Sequence, residues 1–148
     1  MKTFLDELLQ NSVLWISVIA WFIAQTLKVI LTLLAKRRFD IKRFVGSGGM
    51  PSSHSAFVVS MATSIGQVHG YNSVSFALST AFALVVMYDA AGVRRAAGRQ
   101  EAVLNDIIDM LQAKKGLSEK KLKELIGHTP IEVIVGAVLG IVISKMFL

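Results

Sequence analysis

The groups needed for chemistry on a phosphate occur together in one run of the chain, Gly48-Gly49-Met50-Pro51-Ser52-Ser53-His54-Ser55. This run places an imidazole, three hydroxyls and two glycines at the start of an apolar segment. Backbone N–H groups at a helix start lack a partner within the helix and lie at the positive end of its dipole, so they attract anions. An imidazole beside such an anion can transfer protons near neutral pH. We therefore expect a phosphate site that includes Gly49, Ser52 and Ser53, with His54 beside it.

A second histidine, His128, precedes another apolar segment, and Glu132 follows it by four residues. A carboxylate at that spacing lies on the same helical face as the histidine and can hold the imidazole in one tautomer. The stretch that begins at Thr129 is also a good capping box, in which Glu132 bonds to the backbone of Thr129. Both roles of Glu132 remain open at this point.

Five further polar residues lie within or beside the apolar segments: Gln25, Lys28, Asp89, Arg94 and Arg95. Ionisable residues at membrane depth are costly and usually line a cavity or a site. Lys28 could instead extend its ammonium to the membrane interface, and the two arginines could simply contact lipid headgroups. The functional interpretation has Lys28, Arg94 and Arg95 bind phosphate, with Gln25 and Asp89 in support.

The composition indicates a single membrane-embedded domain over residues 1–148. Hydrophobic residues make up 53% of the 148, and the mean hydropathy of +0.58 is too high for an ordinary soluble domain of this size. A helix needs about 20 apolar residues to cross the hydrocarbon core. Four stretches reach or approach that length, at about residues 12–35, 51–69, 73–93 and 130–148. We expect an all-α polytopic membrane protein with a bundle of four transmembrane helices.

Basic residues predict the orientation of this bundle. Residues 36–43 carry five basic side chains against one acidic, and residues 94–127 carry eight against five. Loops rich in Lys and Arg stay in the cytoplasm. We therefore expect both basic loops on the cytoplasmic side of the cell membrane and both termini outside. Anionic membrane lipids explain these charges more simply than a nucleic acid would, so no nucleic-acid partner is expected.

This orientation brings the polar residues of all four helices to one end of the bundle. His54 lies at the cytoplasmic start of the second helix, and His128 lies just before the fourth. The first helix contributes Lys28 in its cytoplasmic half, and the third contributes Arg94 and Arg95 at its cytoplasmic end. This convergence is the strongest physical indication of a site.

The long connection before the fourth helix has an amphipathic pattern over about residues 100–126. Its first part repeats apolar residues at helical spacing, and Ser118 can cap a second short helix that ends at Gly127. We expect this insert to lie on the cytoplasmic membrane surface or over the bundle, although binding of a partner stays open.

Gly136 and Gly140 form a Gly-x-x-x-Gly pair in the fourth helix, which is typical of close helix packing. That packing could lie within the bundle or between protomers. The second arrangement would make the protein a homodimer.

Two of these motifs carry a resemblance to a known family. Pro51-Ser52-Ser53-His54 resembles the second signature of the type 2 phosphatidic acid phosphatases, which is usually Pro-Ser-Gly-His. His128 to Glu132 is similar to the His-x-x-x-Asp end of their third signature. Nearly the whole chain, including residues 24–28, 89–95 and 127–130, resembles a small divergent branch of that superfamily, to which the vanadium haloperoxidases also belong.

The resemblance implies a division of roles. His128 would attack phosphorus, His54 would protonate the leaving group and then activate water, and Glu132 would orient His128. The cations and the helix-start N–H groups would stabilise the phosphoryl oxygens, so neither a metal nor another cofactor is expected.

The chain also departs from the well-known members of the superfamily. Their Lys-x-x-x-x-x-x-Arg-Pro signature has no match here, and residues 118–127 lack the arginine that precedes their third-signature histidine. Two functions therefore stay open. The first is a phosphatase that acts on a polyprenyl or glycerolipid phosphate, and the second is a non-hydrolytic binder, carrier or sensor of phosphorylated lipids.

Overall fold

The computed structural model describes residues 3–36, 49–115 and 127–148, and over these ranges the chain is helical without a strand. The elements in chain order are α1 (Phe4–Leu9), α2 (Ser12–Lys36), α3 (Ser53–His69), α4 (Val74–Tyr88), a π-helical turn (Asp89–Val93), α5 (Arg94–Lys115) and α6 (Pro130–Phe147). The predicted all-α class is confirmed.

Three helical stretches in the described ranges are long and apolar enough to cross a membrane: Ser12–Leu34, Val74–Met110 and Pro130–Phe147. Large apolar side chains face outward on them, among them Phe22, Leu78 and Val138. Soluble proteins rarely expose contiguous apolar surfaces of that kind, so these helices fit a lipid environment.

The remaining bundle helix, α3, has 17 residues and is less apolar, because it lies in the middle of the bundle rather than at its edge. It packs against α2, α4 and α6, and nine of its residues are buried. A helix that is enclosed by other helices does not need an apolar surface all round. The count of four membrane spans therefore remains a prediction.

Two predicted boundaries differ from the structure. The third span was expected to end near residue 93 and the insert to begin near residue 100, but α4 continues through the π turn into α5 without a break. No proline interrupts residues 74–115, so the chain has nothing that must end the helix there. The predicted second helix of the insert lies largely within residues 116–126, outside the described residues, as does most of the basic loop 36–43.

α5 turns apolar side chains outward along its length. Val103, Leu104, Ile107 and Met110 are exposed, whereas Asn105 is buried. An outward apolar face suits a helix at a membrane surface. The location of the insert on the cytoplasmic membrane surface stays a prediction.

Small residues bring α3 and α6 into contact along their whole length. A Cβ atom added to Gly136 would overlap the Ser52 carbonyl oxygen, and one added to Gly140 would lie 2.5 Å from the Ala56 carbonyl oxygen. Farther along, the Ser144 hydroxyl lies 2.8 Å from the Ser64 hydroxyl. We call this contact the α3–α6 seam. It is formed by Ser52, the N-cap of α3, with Ala56, Ser60 and Ser64 of α3 and Gly136, Gly140 and Ser144 of α6.

The seam explains both the packing and the direction of the two helices. Between apolar helices in lipid no hydrophobic force acts, so close backbone approach and interhelical hydrogen bonds supply the attraction. The Ser144 hydroxyl also donates to Gln67 Oε1 at 2.8 Å. Because the contacts advance together along both helices, α3 and α6 run parallel. The Gly136 and Gly140 pair thus packs within the bundle, and a homodimer stays a prediction.

Two separate glycine-to-alanine variants test the seam, one within it and one outside it. Alanine is favoured over glycine in helices by about 1 kcal/mol, so propensity alone would make Gly140→Ala stabilising. Because the added methyl group would meet the backbone of Ala56, we expect Gly140→Ala to lower the free energy of unfolding by about 1–3 kcal/mol. Unfolding in mixed micelles with increasing SDS, followed by circular dichroism, measures this change.

The matched control is Gly92→Ala. Among the described side chains, the nearest atom to a Cβ at Gly92 is the Tyr88 Cζ at 3.9 Å. We expect this variant to be at least as stable as the wild type. A Gly140→Ala protein as stable as the Gly92→Ala protein would contradict the close approach of α3 and α6.

Candidate functional site

His128 lies immediately before α6 and is held by the first turn of that helix. Thr129 is the N-cap, Pro130 is the first helical residue, and Glu132 completes a capping box with Thr129. The side chain of His128 is only 1% exposed, and its Nδ1 lies 2.9 Å from Glu132 Oε2. The same carboxylate oxygen accepts the Thr129 N–H at 3.2 Å. Glu132 therefore makes both contacts that the sequence left open.

The hydrogen bond between Nδ1 and the carboxylate determines which ring nitrogen of His128 carries the lone pair with which it can react. When the carboxylate accepts from Nδ1–H, the neutral imidazole carries its lone pair on Nε2. Burial of the ring keeps it in one orientation. His128 is thus arranged as a nucleophile or acceptor through Nε2.

The backbone of His128 is fixed by the π turn at the end of α4. The His128 N–H donates to the carbonyl oxygen of Ala90 at 3.0 Å. Sequence reasoning missed Ala90, and no side-chain pattern could have revealed it, because the contact is made by a backbone carbonyl. This bond joins the segment around Asp89 to the start of α6.

His54 lies in the first turn of α3, and its ring faces that of His128. The two ring centroids are 6.3 Å apart with an angle of 66° between the planes. His54 is exposed whereas His128 is buried. The two rings meet edge to face. The pair that the sequence predicted is thus together in space.

The parallel seam also places two helix starts at this point. The N-termini of α3 and α6 lie side by side, since the Ser52 N–H donates to the Glu132 carbonyl oxygen at 3.0 Å. Each helix start carries partial positive charge, so an anion near both histidines would meet two favourable dipoles.

The start of α3 differs in detail from the prediction. The helix begins at Ser53 rather than at Pro51, and Ser52 is its N-cap. The Ser52 hydroxyl accepts the Ser55 N–H at 3.4 Å, and the Ser52 N–H is occupied by Glu132. Ser52 was expected to offer its N–H to phosphate, but it instead joins α3 to α6. Ser53 is buried in the first turn, where its role in phosphate binding stays a prediction.

Gly49 precedes α3 with a φ of 91°, which an L side chain rarely adopts. This conformation explains why a glycine is needed directly before Met50. A role of Gly49 in phosphate binding stays a prediction.

Lys28 and Gln25 are both buried in α2, at 2% and 5% exposure. Lys28 Nζ donates to Gln25 Oε1 at 2.8 Å. The alternative in which Lys28 extends to the interface is therefore wrong for this structure. A buried ammonium is costly unless other groups compensate it, so its retention favours a functional role. The helix α2 packs against both α3 and α6, which carry His54 and Glu132.

Arg94 and Arg95 are the first residues of α5, directly after the π turn that binds the His128 backbone. Asp89, at the start of that turn, is partly buried. The backbone thus places these three residues beside the segment that holds His128. Phosphate binding by the two arginines and support by Asp89 stay predictions.

Comparison with known proteins agrees with the motifs. The sequence profile of the Divergent PAP2 family matches residues 9–143. An uncharacterized membrane protein of Bacillus subtilis (strain 168), YuiD, is 41% identical over 149 residues, which cover 93% of this chain and 94% of that protein. No solved structure matches the chain. The match covers most of the residues that form the bundle and the histidine pair, and the chain belongs to the Divergent PAP2 family of membrane proteins.

Proposed function

We propose that this protein is a phosphatase that hydrolyses a lipid phosphomonoester through a phosphohistidine on His128. The observation that carries the proposal is the geometry of the pair. A buried imidazole is oriented through Nδ1 by Glu132, and an exposed imidazole lies 6.3 Å away between ring centroids. This geometry supports attack by the buried imidazole and proton exchange with substrate and water by the exposed one.

The first half of the reaction forms a covalent intermediate. Nε2 of His128 attacks phosphorus, an N–P bond forms, and the bond between phosphorus and the lipid oxygen breaks. His54 in its protonated form donates a proton to the departing oxygen, so the lipid leaves as an alcohol. Glu132 stabilises the positive charge on the His128 ring by holding Nδ1–H.

The second half returns the enzyme to its initial state. Neutral His54 takes a proton from water, and the resulting hydroxide attacks phosphorus as the N–P bond breaks. Inorganic phosphate then leaves. The transferred group carries negative charge throughout, so nearby cations and helix dipoles lower the barrier. Lys28, Arg94, Arg95 and the first turn of α3 at Ser53 are the groups that would supply this stabilisation.

A lipid substrate fits the location of the histidines at one end of a membrane bundle. The hydrocarbon chain of a polyprenyl or glycerolipid phosphate remains among apolar helices while its headgroup reaches the polar end. By the distribution of basic residues that end faces the cytoplasm, where anionic headgroups contact the basic loops.

A non-hydrolytic binder or carrier of phosphorylated lipids is the second candidate. It is favoured by the Ser52 N–H, which bonds to Glu132 and thus leaves one fewer donor for a developing negative charge. Such a protein would bind the same lipids and release no phosphate.

Histidine variants separate the two candidates. We expect the purified protein to release phosphate from a panel of lipid phosphates without added metal, and His128→Ala to abolish the release. Because general acid–base catalysis contributes about 10²–10⁴-fold, His54→Ala should lower kcat by about that factor. A colorimetric phosphate assay in detergent micelles measures both.

His69→Ala is the matched control, since His69 is an exposed histidine at the far end of α3. We expect it to keep wild-type kcat. Lipid binding without release from any substrate would replace the phosphatase with the carrier.

A second pair of variants separates the two roles of Glu132. Glutamine also completes a capping box, so Glu132→Gln should keep the thermal stability of the wild type. It removes the charge that orients His128, so kcat should fall by about 10²-fold or more. Thr129→Ala removes the cap instead and should lower stability by about 1 kcal/mol with little change in kcat. Equal effects of both variants on kcat would show that Glu132 serves only as a cap.

The orientation in the membrane has its own test, made simple because the chain contains no cysteine. We expect a single cysteine at Asn72 to react with a membrane-impermeant maleimide on intact cells, because the turn after α3 would face outward. A cysteine at Ser47, which follows the basic loop 36–43 and lies outside the described residues, should react only in inside-out vesicles. Labelling of Ser47→Cys on intact cells would place the site on the opposite side of the membrane.

A further inference from the structure

An open groove of about 480 Å³ runs between α2, α3 and α4 on the outer side of the bundle. Its lining consists of Val18 and Trp21 from α2, His54, Phe57 and Val58 from α3, and Phe82 and Val86 from α4. Among the described residues that line it, His54 alone is ionisable. The groove therefore begins at a member of the histidine pair and is otherwise apolar.

The size and position of the groove suit a hydrocarbon chain. Pockets that hold small ligands have volumes of about 300–1,000 Å³. His54 and Val58 are one helical turn apart on α3, and Phe82 and Val86 are one turn apart on α4, so the apolar lining extends from His54 along the helix axes. Because α2 and α4 belong to stretches apolar enough to span a membrane, the groove opens toward lipid chains rather than toward water.

We infer that this groove binds the hydrocarbon chain of the lipid whose phosphate lies between His54 and His128. The inference rests on the proposed function and deepens it, because it assigns the apolar part of the substrate to a named surface. A free phosphate or a water-soluble phosphoester would leave the groove without a role.

The groove acts mainly by orientation. A lipid chain leaves an environment as apolar as the groove itself, so its transfer gains little hydrophobic free energy. Contact along one side of α3 nevertheless limits the positions that the chain can take. A headgroup attached to a chain in this position is brought to His54, which raises the fraction of bound lipids in a reactive geometry.

Neighbouring valines on α4 provide a matched test. Val86 lines the groove, whereas Val85 is 67% exposed on the outer surface and is not part of the lining. We compare kcat/KM for phosphatidic acid with kcat/KM for p-nitrophenyl phosphate, which has no chain. We expect Val86→Trp to lower the ratio of kcat/KM for phosphatidic acid to that for p-nitrophenyl phosphate by about tenfold, because the larger ring would occupy the space of the chain. Val85→Trp should leave the ratio unchanged.

Trp21 gives a measurement that does not depend on hydrolysis. The chain has two tryptophans, so a Trp15→Phe protein reports on Trp21 alone. Phosphatidic acid with brominated acyl chains quenches indole fluorescence on contact. We expect its quenching of Trp21 to saturate at a low mole fraction in phosphatidylcholine bilayers. Brominated diacylglycerol, which lacks the phosphate, should quench only in proportion to its concentration.

The outcomes distinguish the groove from the phosphatase. Saturable quenching without phosphate release would overturn the proposed hydrolysis and keep the groove as a lipid-chain site. Hydrolysis of phosphatidic acid with an unchanged substrate ratio in Val86→Trp, or with equal quenching by both brominated lipids, would overturn the groove and keep the phosphatase.

Discussion

The close approach of α3 and α6 determines where the two histidines and the two helix starts lie. Glycines at 136 and 140 let the α6 backbone touch the carbonyl groups of Ser52 and Ala56, and the two helices consequently run parallel and in register. Their N-termini then lie at the same end, joined by the bond from the Ser52 N–H to the Glu132 carbonyl. The first turn of one helix carries His54, and His128 directly precedes the N-cap of the other. A looser seam would move the two histidines apart and would also move the two helix starts apart.

A membrane environment would favour the proposed phosphate chemistry of this arrangement. Charges within an apolar bundle interact strongly because little water screens them. Glu132 both caps α6 and holds Nδ1 of His128, so one carboxylate stabilises the helix and orients the ring. Buried Lys28 is paired with Gln25 in the helix that packs against both others. These polar groups are costly in lipid, and the proposed binding of a phosphate would account for their retention.

Much of the site follows from the sequence, because side-chain spacing carries the information. Two sequence patterns predict contacts that the structure contains: the i, i+4 relation of His128 and Glu132 and the Gly-x-x-x-Gly pair. The apolar stretches predict its long helices. The backbone contacts of the Ala90 carbonyl and the Ser52 N–H could not be predicted. Nearly every residue has the same backbone groups, so they leave no pattern in the sequence. The continuity of α4 with α5 was missed for a related reason. A π turn absorbs one extra residue without any breaker in the sequence, so hydropathy alone placed a boundary near residue 93.

Rapid-quench trapping can show whether His128 carries the phosphoryl group, as we propose. The protein is mixed with a lipid phosphate radiolabelled at phosphorus, quenched within one turnover under alkaline conditions that preserve phosphohistidine, and digested for peptide mapping. We predict label on the peptide that contains His128, with none in the His128→Ala protein. Rapid phosphate release by the wild type with no label on that peptide, or label on His54 instead, would rule out a phosphoryl intermediate on His128.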